Sequence, residues 1–154
     1  MKIALASDHA GHELKQGIMK YLAEKGIDFH DFGCGPDETV DYVDYGEKAA
    51  QKVSSGEYAR AILCCGTGLG MAIVANKYKR VRATPCYDGD GAEISRKHND
   101  SNCLTLGGRV IPLDEAIEIV KIWLETEFEE GRHQIRIDKI LNLEERNFKK
   151  IEEE

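Results

Sequence analysis

Five short apolar runs, at residues 3–6, 27–32, 59–65, 81–86 and 103–106, alternate along this chain with longer stretches of helical periodicity. Strands separated by helix-length connections do not pair through tight hairpins, so the alternation points to crossover units and a five-stranded parallel sheet with helices on both faces. Right-handed crossovers follow as the default. Residues 12–25 place apolar side chains at 14, 18, 21 and 22, and Gly26 stands just past their end as a C-terminal stop. Residues 45–53 repeat the pattern with Ala49, Ala50 and Val53. Residues 113–126 carry Ala116, Ile117, Val120, Trp123 and Leu124, with Asp114 as the expected N-cap. A length of 154 residues suits one domain. Residues 1–140 are therefore expected to form a single unit, with a restart after Gly131, and the mostly charged residues 141–154 a helical C-terminal extension.

With 21 basic against 28 acidic residues, the formal net charge is −7. No broad basic face is on offer to nucleic acid or to an anionic membrane, so any bound anion must meet a local basic cluster. The first apolar run reaches Ser7-Asp8-His9 too soon for a signal sequence, and no segment has membrane-spanning length. A cytoplasmic protein is expected. Cys34, Cys64, Cys65, Cys86 and Cys103 are an odd set without Cys-x-x-Cys spacing, which argues for reduced thiols and against a disulfide framework or zinc ribbon.

Ligands of open parallel sheets bind beyond the carboxyl ends of the strands. Ser7-Asp8-His9-Ala10-Gly11 follows the first run, Cys65-Gly66-Thr67-Gly68-Leu69-Gly70 the third and Tyr87-Asp88-Gly89-Asp90-Gly91 the fourth. Gly107-Gly108-Arg109 follows the fifth, and His98-Asn99-Asp100 stands just before it. These groups are expected to converge on one edge. The glycine-rich turn entering a helix offers unpaired N–H groups and the positive end of the helix dipole to an anion. A dinucleotide fingerprint would need glycine where Met71 stands, and a Walker loop would need a lysine well before Lys77. A tight structural turn is the alternative reading of the glycines.

Cys65 sits where such a turn favours a thiolate, making it a candidate base or nucleophile. Cys64, its strand neighbour, should face the opposite side as a small buried hydrophobe, and Cys34, Cys86 and Cys103 are expected to be buried as well. A cysteine phosphatase would need an arginine just after the loop, where Met71 and Ala72 stand. His9 and His12 are three apart, yet no third ligand has a recognisable spacing, so no metal is expected. Asp8 doubles as a helix N-cap candidate. Arg132 and Arg136 lie four apart on one helical face, where two guanidinium forks suit a phosphate or form a solvated surface pair.

On these blocks the sequence resembles the ribose-5-phosphate isomerase B family, which also holds galactose-6-phosphate and allose-6-phosphate isomerases. The resemblance covers about residues 1–140, through Ser7-Asp8-His9-Ala10-Gly11, Val40-Asp41-Tyr42 with Asp44-Tyr45, and Cys65 to Met71 with Ala75-Asn76-Lys77. It continues through His98-Asn99-Asp100 with Asn102, Leu106-Gly107 with Arg109, and Gly131-Arg132-His133 with Arg136. It implies a Rossmann-like three-layer α/β/α sandwich. It also implies a homodimer or dimer of dimers with shared active sites, and cofactor-free interconversion of ribose 5-phosphate and ribulose 5-phosphate through an enediolate.

Carried over by position, the resemblance implies Cys65 as base, Thr67 as a hydroxyl of the same loop, and the amides of Gly66, Gly68 and Gly70 as the enediolate hole. Asp8 and His98 then open the sugar ring, Asn99 and Tyr42 contact the sugar, and His9, Arg109, Arg132 and Arg136 hold the phosphate. His98, Asn99 and Arg109 are expected from a partner subunit, toward which Ile135, Ile137 and Ile140 turn their apolar strip. Met71, where another branch of the family carries a glutamate base, places the chain in the cysteine branch. Val43, Thr84-Pro85 and Asp88-Gly89-Asp90-Gly91 depart from the family pattern and bear on substrate preference. A six-carbon sugar phosphate and a non-catalytic sugar-phosphate binder are the competing readings.

Overall fold

The computed structural model describes residues 1–152. The chain runs β1 (Lys2–Ser7), α1 (His12–Glu24), β2 (Asp28–Asp31), α2 (Tyr42–Ser54), β3 (Arg60–Cys65) and α3 (Leu69–Ala75). It continues through β4 (Ala83–Pro85), α4 (Gly89–Asn99), β5 (Cys103–Gly107), α5 (Leu113–Glu125) and α6 (Arg132–Glu152). All strand pairings are parallel, in the order β2-β1-β3-β5-β4. This is the expected sandwich.

The two-residue period of the strands sorts their side chains into two cores. Ile3, Leu5, Ile62, Cys64, Leu104 and Leu106 face one way and pack with Leu14, Ile18 and Leu22 of α1 and Ile119, Val120 and Trp123 of α5. Ala4, Ala6, Ala61, Leu63, Cys65 and Cys103 face the other way, against Ala49, Ala50 and Val53 of α2 and Met71, Ala72 and Ala75 of α3. The alanines of β1, α2 and α3 make the second core thin. Cys64 and Cys65 fall in different cores, as their adjacency on a strand requires.

Several boundaries differ from expectation. Helix α2 begins at Tyr42 because the Asp41 carboxylate accepts from the Val43 N–H at 3.1 Å, which caps the helix earlier than its apolar spacing suggests. Asp114 is not the N-cap of α5: Pro112 takes that place, and Asp114 and Glu115 lie in the first turn, beside the positive end of the dipole. Helix α6 passes through residue 140 without a break, so as far as residue 152 the charged extension continues the helix that carries Arg132 and Arg136, and the last two residues of the expected extension lie outside the described residues. Of the three isoleucines expected to await a partner, Ile137 is buried by its own chain, whereas Ile135 and Ile140 are exposed.

The chain leaves β1 toward β2 and later returns to the other side as β3, so the strand order reverses between β1 and β3. At such a reversal the flanking connections diverge to opposite faces and leave a crevice beyond the carboxyl ends. Asp8 and Cys65 stand at that crevice, one residue beyond the paired Ser7 and Cys64.

Candidate active site

Cys65 is the last residue of β3 and is 4% exposed. Its Sγ accepts from the Gly68 N–H at 3.1 Å, across a turn in which Gly68 takes φ +83° at the head of α3. A side chain at position 68 would combine a disfavoured backbone with a Cβ 3.1 Å from the Leu106 carbonyl carbon. Thr67 is exposed, and its Oγ1 accepts from the Leu69 N–H at 3.2 Å. The turn's carbonyls are all engaged from outside. Gly108 N–H donates to Cys65 O at 2.8 Å, Arg109 N–H to Gly66 O at 3.0 Å, Tyr87 Oη to Thr67 O at 3.1 Å and Thr105 Oγ1 to Gly68 O at 2.7 Å. A trans peptide points its C=O and N–H in opposite directions, so tying the carbonyls back turns the N–H groups of Gly66, Thr67 and Gly68 toward the crevice and the thiol.

Asp8 is buried, and its Oδ1 accepts from the Gly11 N–H at 2.9 Å, which caps the turn into α1 without being the helix N-cap itself, a place taken by Gly11. His9 is exposed; its Nδ1 lies 3.1 Å from the Val40 carbonyl, which leaves Nε2 for a ligand. Tyr42 opens α2 and lays its ring over Gly70, where an added Cβ would come within 2.7 Å of the ring. Arg109, expected from a partner, lies against its own loop: a Cβ at Gly66 would sit 3.4 Å from its Nη1. The backbone bond from Arg109 to Gly66 brings it there. Asp8, His9, Tyr42, Cys65, Gly66, Thr67, Gly68, Gly70 and Arg109 thus form one constellation.

His98 and Asn99 do not join it. They end α4, which runs against the strands to return the chain for another parallel pairing, so they sit at the amino edge of the sheet. There they meet Arg132, His133 and Arg136 of α6 around an open hollow of about 530 Å³. The expectation of a single converging edge is therefore corrected into two half-sites. The rings of His98 and His133 stack at 4.2 Å between centroids and 12° between planes. Glu129 lies 3.6 Å from His133 Nε2, and Arg136 Nη1 donates to the Arg132 carbonyl at 2.8 Å. Burial, with His98 and Arg132 next in effect, lowers the His133 pKa from its ordinary value.

The second half-site is held rigidly from behind. Asp100, at φ +46° after the last turn of α4, receives Arg96 Nη1 on one carboxylate oxygen at 2.8 Å and Arg82 Nη2 on the other at 3.0 Å. Among the described residues, His98, Glu129 and His133 bring possible metal-ligand atoms within 4.8 Å of one another. Nearly parallel stacked rings aim their lone pairs along parallel planes instead of at a common point, so this cluster is not a preformed tetrahedral centre. His133 and Thr105 were not among the expected site residues, and Tyr87 was expected only as part of the segment after the fourth run that would reach the converging edge. His133 had a signal in its place between the two arginines, whereas the buried strand residue Thr105 had none.

Two features coincide here: a doubly wound parallel sheet, and a thiol set inside a glycine-rich turn at its strand-order reversal. They define an α/β protein whose sheet crevice holds a cysteine thiol against a backbone N–H donor. The ribose/galactose isomerase family model matches residues 3–140, and the chain belongs to that family. It is 43% identical to a ribose-5-phosphate isomerase B of Escherichia coli over 145 residues, covering 94% of this chain and 97% of that protein. The fold superposes on the ribose-5-phosphate isomerase B structure of Clostridium thermocellum with a TM-score of 0.93 at 48% identity, covering 96% and 99% of the two chains. The Mycoplasma genitalium enzyme, solved with bound ribulose-5-phosphate, gives a TM-score of 0.90 at 39% identity, covering 94% and 96%. Among the described residues, no helix is long and apolar enough to cross a membrane.

Proposed function

We propose that this chain is a ribose-5-phosphate isomerase that interconverts ribose 5-phosphate and ribulose 5-phosphate through an enediolate. The observation that carries the reading is the Cys65 thiol bonded to Gly68 N–H inside a turn whose carbonyls are all tied back. Moving a proton between adjacent carbons of a sugar needs a base within reach of both and donors aimed where the oxyanion develops. Cys65 is the base, and the Gly66–Gly70 amides with Thr67 hold the enediolate. Asp8 and His98 assist ring opening, Asn99 and Tyr42 orient the open chain, and His9, Arg109, Arg132 and Arg136 bind the phosphate. Phosphate binding far from the reacting carbons fixes the register of the sugar.

The two half-sites act together only if a second copy supplies His98, Asn99, Arg132 and Arg136, so the working unit is a symmetric homodimer with two shared sites. Exposed Tyr42, Val43, Leu69 and Ile73 beside the first half-site, and Ile135 and Ile140 beside the second, favour that assembly. The competing six-carbon reading rests on the galactose isomerases of the family. The deciding experiment compares kcat/KM for ribose 5-phosphate with that for allose 6-phosphate and galactose 6-phosphate. Preference for a six-carbon sugar would reassign the substrate, and absence of turnover on all three would leave a binder.

A further inference from the structure

Four hydrogen bonds hold the Cys65 turn from outside, and two of them come from side chains that the reaction itself does not call upon. Tyr87 follows β4, and its Oη donates to Thr67 O at 3.1 Å. Thr105 is fully buried in β5, and its Oγ1 donates to Gly68 O at 2.7 Å. The peptide that joins Thr67 to Gly68 is the one whose N–H reaches Cys65 Sγ at 3.1 Å. It is therefore gripped at both ends: the tyrosine hydroxyl on its carbonyl, the thiol on its amide. The next peptide is gripped likewise, with Thr105 on the Gly68 carbonyl and Thr67 Oγ1 accepting from the Leu69 N–H at 3.2 Å.

We propose that Tyr87 and Thr105 are positioning residues for the isomerisation, acting through these two peptides to aim the turn's N–H groups at the thiol and at the developing enediolate. A donor on a peptide carbonyl also polarises the amide on the other side, so each hydroxyl strengthens the N–H it does not touch. Glycine at 66, 68 and 70 leaves this turn with little conformational restraint of its own, which is why it needs anchors. Tyr87 and Thr105 lie on separate elements, so the aim of the turn depends on the docking of β5 and of the β4–α4 connection. The inference rests on the isomerase reading for its kinetic consequence, but not for its effect on the thiol.

The test uses full-length Tyr87→Phe, Thr105→Val and Thr105→Ser, each assayed for turnover of ribose 5-phosphate and for alkylation of Cys65 by iodoacetamide at neutral pH. Tyr87→Phe and Thr105→Val are expected to lower kcat by about 10- to 100-fold, less than deleting an oxyanion donor outright, with KM held within about twofold. Both should slow alkylation of Cys65 by about fivefold, since the turn whose Gly68 N–H holds the thiol in place is loosened. Thr105→Ser, which keeps the hydroxyl, should restore most of both. A hydroxyl that merely supported packing would change thermal stability without the kcat-against-KM split, and the serine would not rescue. The proposal is overturned if Tyr87→Phe and Thr105→Val keep wild-type alkylation rates, or if Thr105→Ser behaves like the valine variant. Should the wild type fail to turn over the sugar while the alkylation rates fall as described, the isomerase reading is lost and the anchoring of the thiol stands.

Discussion

Mixing two inactive variants tests the shared-site arrangement directly. Helix α4 has 11 residues, so at 1.5 Å each it carries the chain roughly 16 Å back along the sheet before reaching His98 and Asn99. The five residues of β5 climb a similar distance, roughly 16 Å, to the level of Cys65. No side chain bridges that gap within one subunit. Cys65→Ala and His98→Ala homodimers should each lose about 10²- to 10⁴-fold in kcat, the usual contribution of one acid–base group. In a mixed dimer one site receives Cys65 from one chain and His98 from the other, while the second site lacks both. Random exchange of equal amounts makes half the dimers mixed, with one of two sites intact, so about a quarter of wild-type activity should return. Native mass spectrometry would establish exchange, and a coupled assay of ribulose 5-phosphate formation would measure recovery. Activity that stays at the background of the parents despite demonstrated exchange would refute the argument, because it would mean that both residues serve the same site from one chain.

Cys65→Ala alone should abolish turnover while titration calorimetry still detects sugar-phosphate binding, since the thiol acts on the transition state and the phosphate ligands act on the ground state. Arg136→Ala should raise KM by about tenfold with a smaller fall in kcat, as expected for loss of a charge-assisted phosphate contact; an unchanged KM would make the arginine a surface charge. His133 should make the fold less stable in acid. Its pKa is lowered below 6.5 by burial, then by His98, Arg132 and Arg136, with Glu129 opposing, so the unfolded chain binds the proton more tightly. Stability is then full above about pH 6.5 and declines as pH falls through the lower folded value. His133→Phe should flatten the melting temperature measured between pH 5 and pH 7.5, and an unaltered slope would assign the effect elsewhere.

The local pattern of the chain determined the fold class and the first half-site. Alternating strand and helix periodicities leave a parallel sandwich as the economical way to bury both, and the period of two on β3 alone sends Cys64 and Cys65 to opposite cores. A glycine turn between strand and helix is a short-range object as well, so Cys65, Gly66, Thr67, Gly68 and Gly70 were legible as one turn that sets a thiol beside backbone N–H groups. The placing of His98 and Asn99 was not. Adjacency to β5 in sequence suggested its active edge, but they precede that strand, and a helix returning the chain for a parallel pairing must end at the opposite edge. Which strand then lies beside which was also beyond local pattern: β5 inserts between β3 and β4, and only that order sets Thr105 behind Gly68 and Tyr87 behind Thr67. Periodicity records which face of an element is buried, whereas contacts between elements far apart in sequence depend on strand order and helix length, and those are settled by the packing of the whole chain.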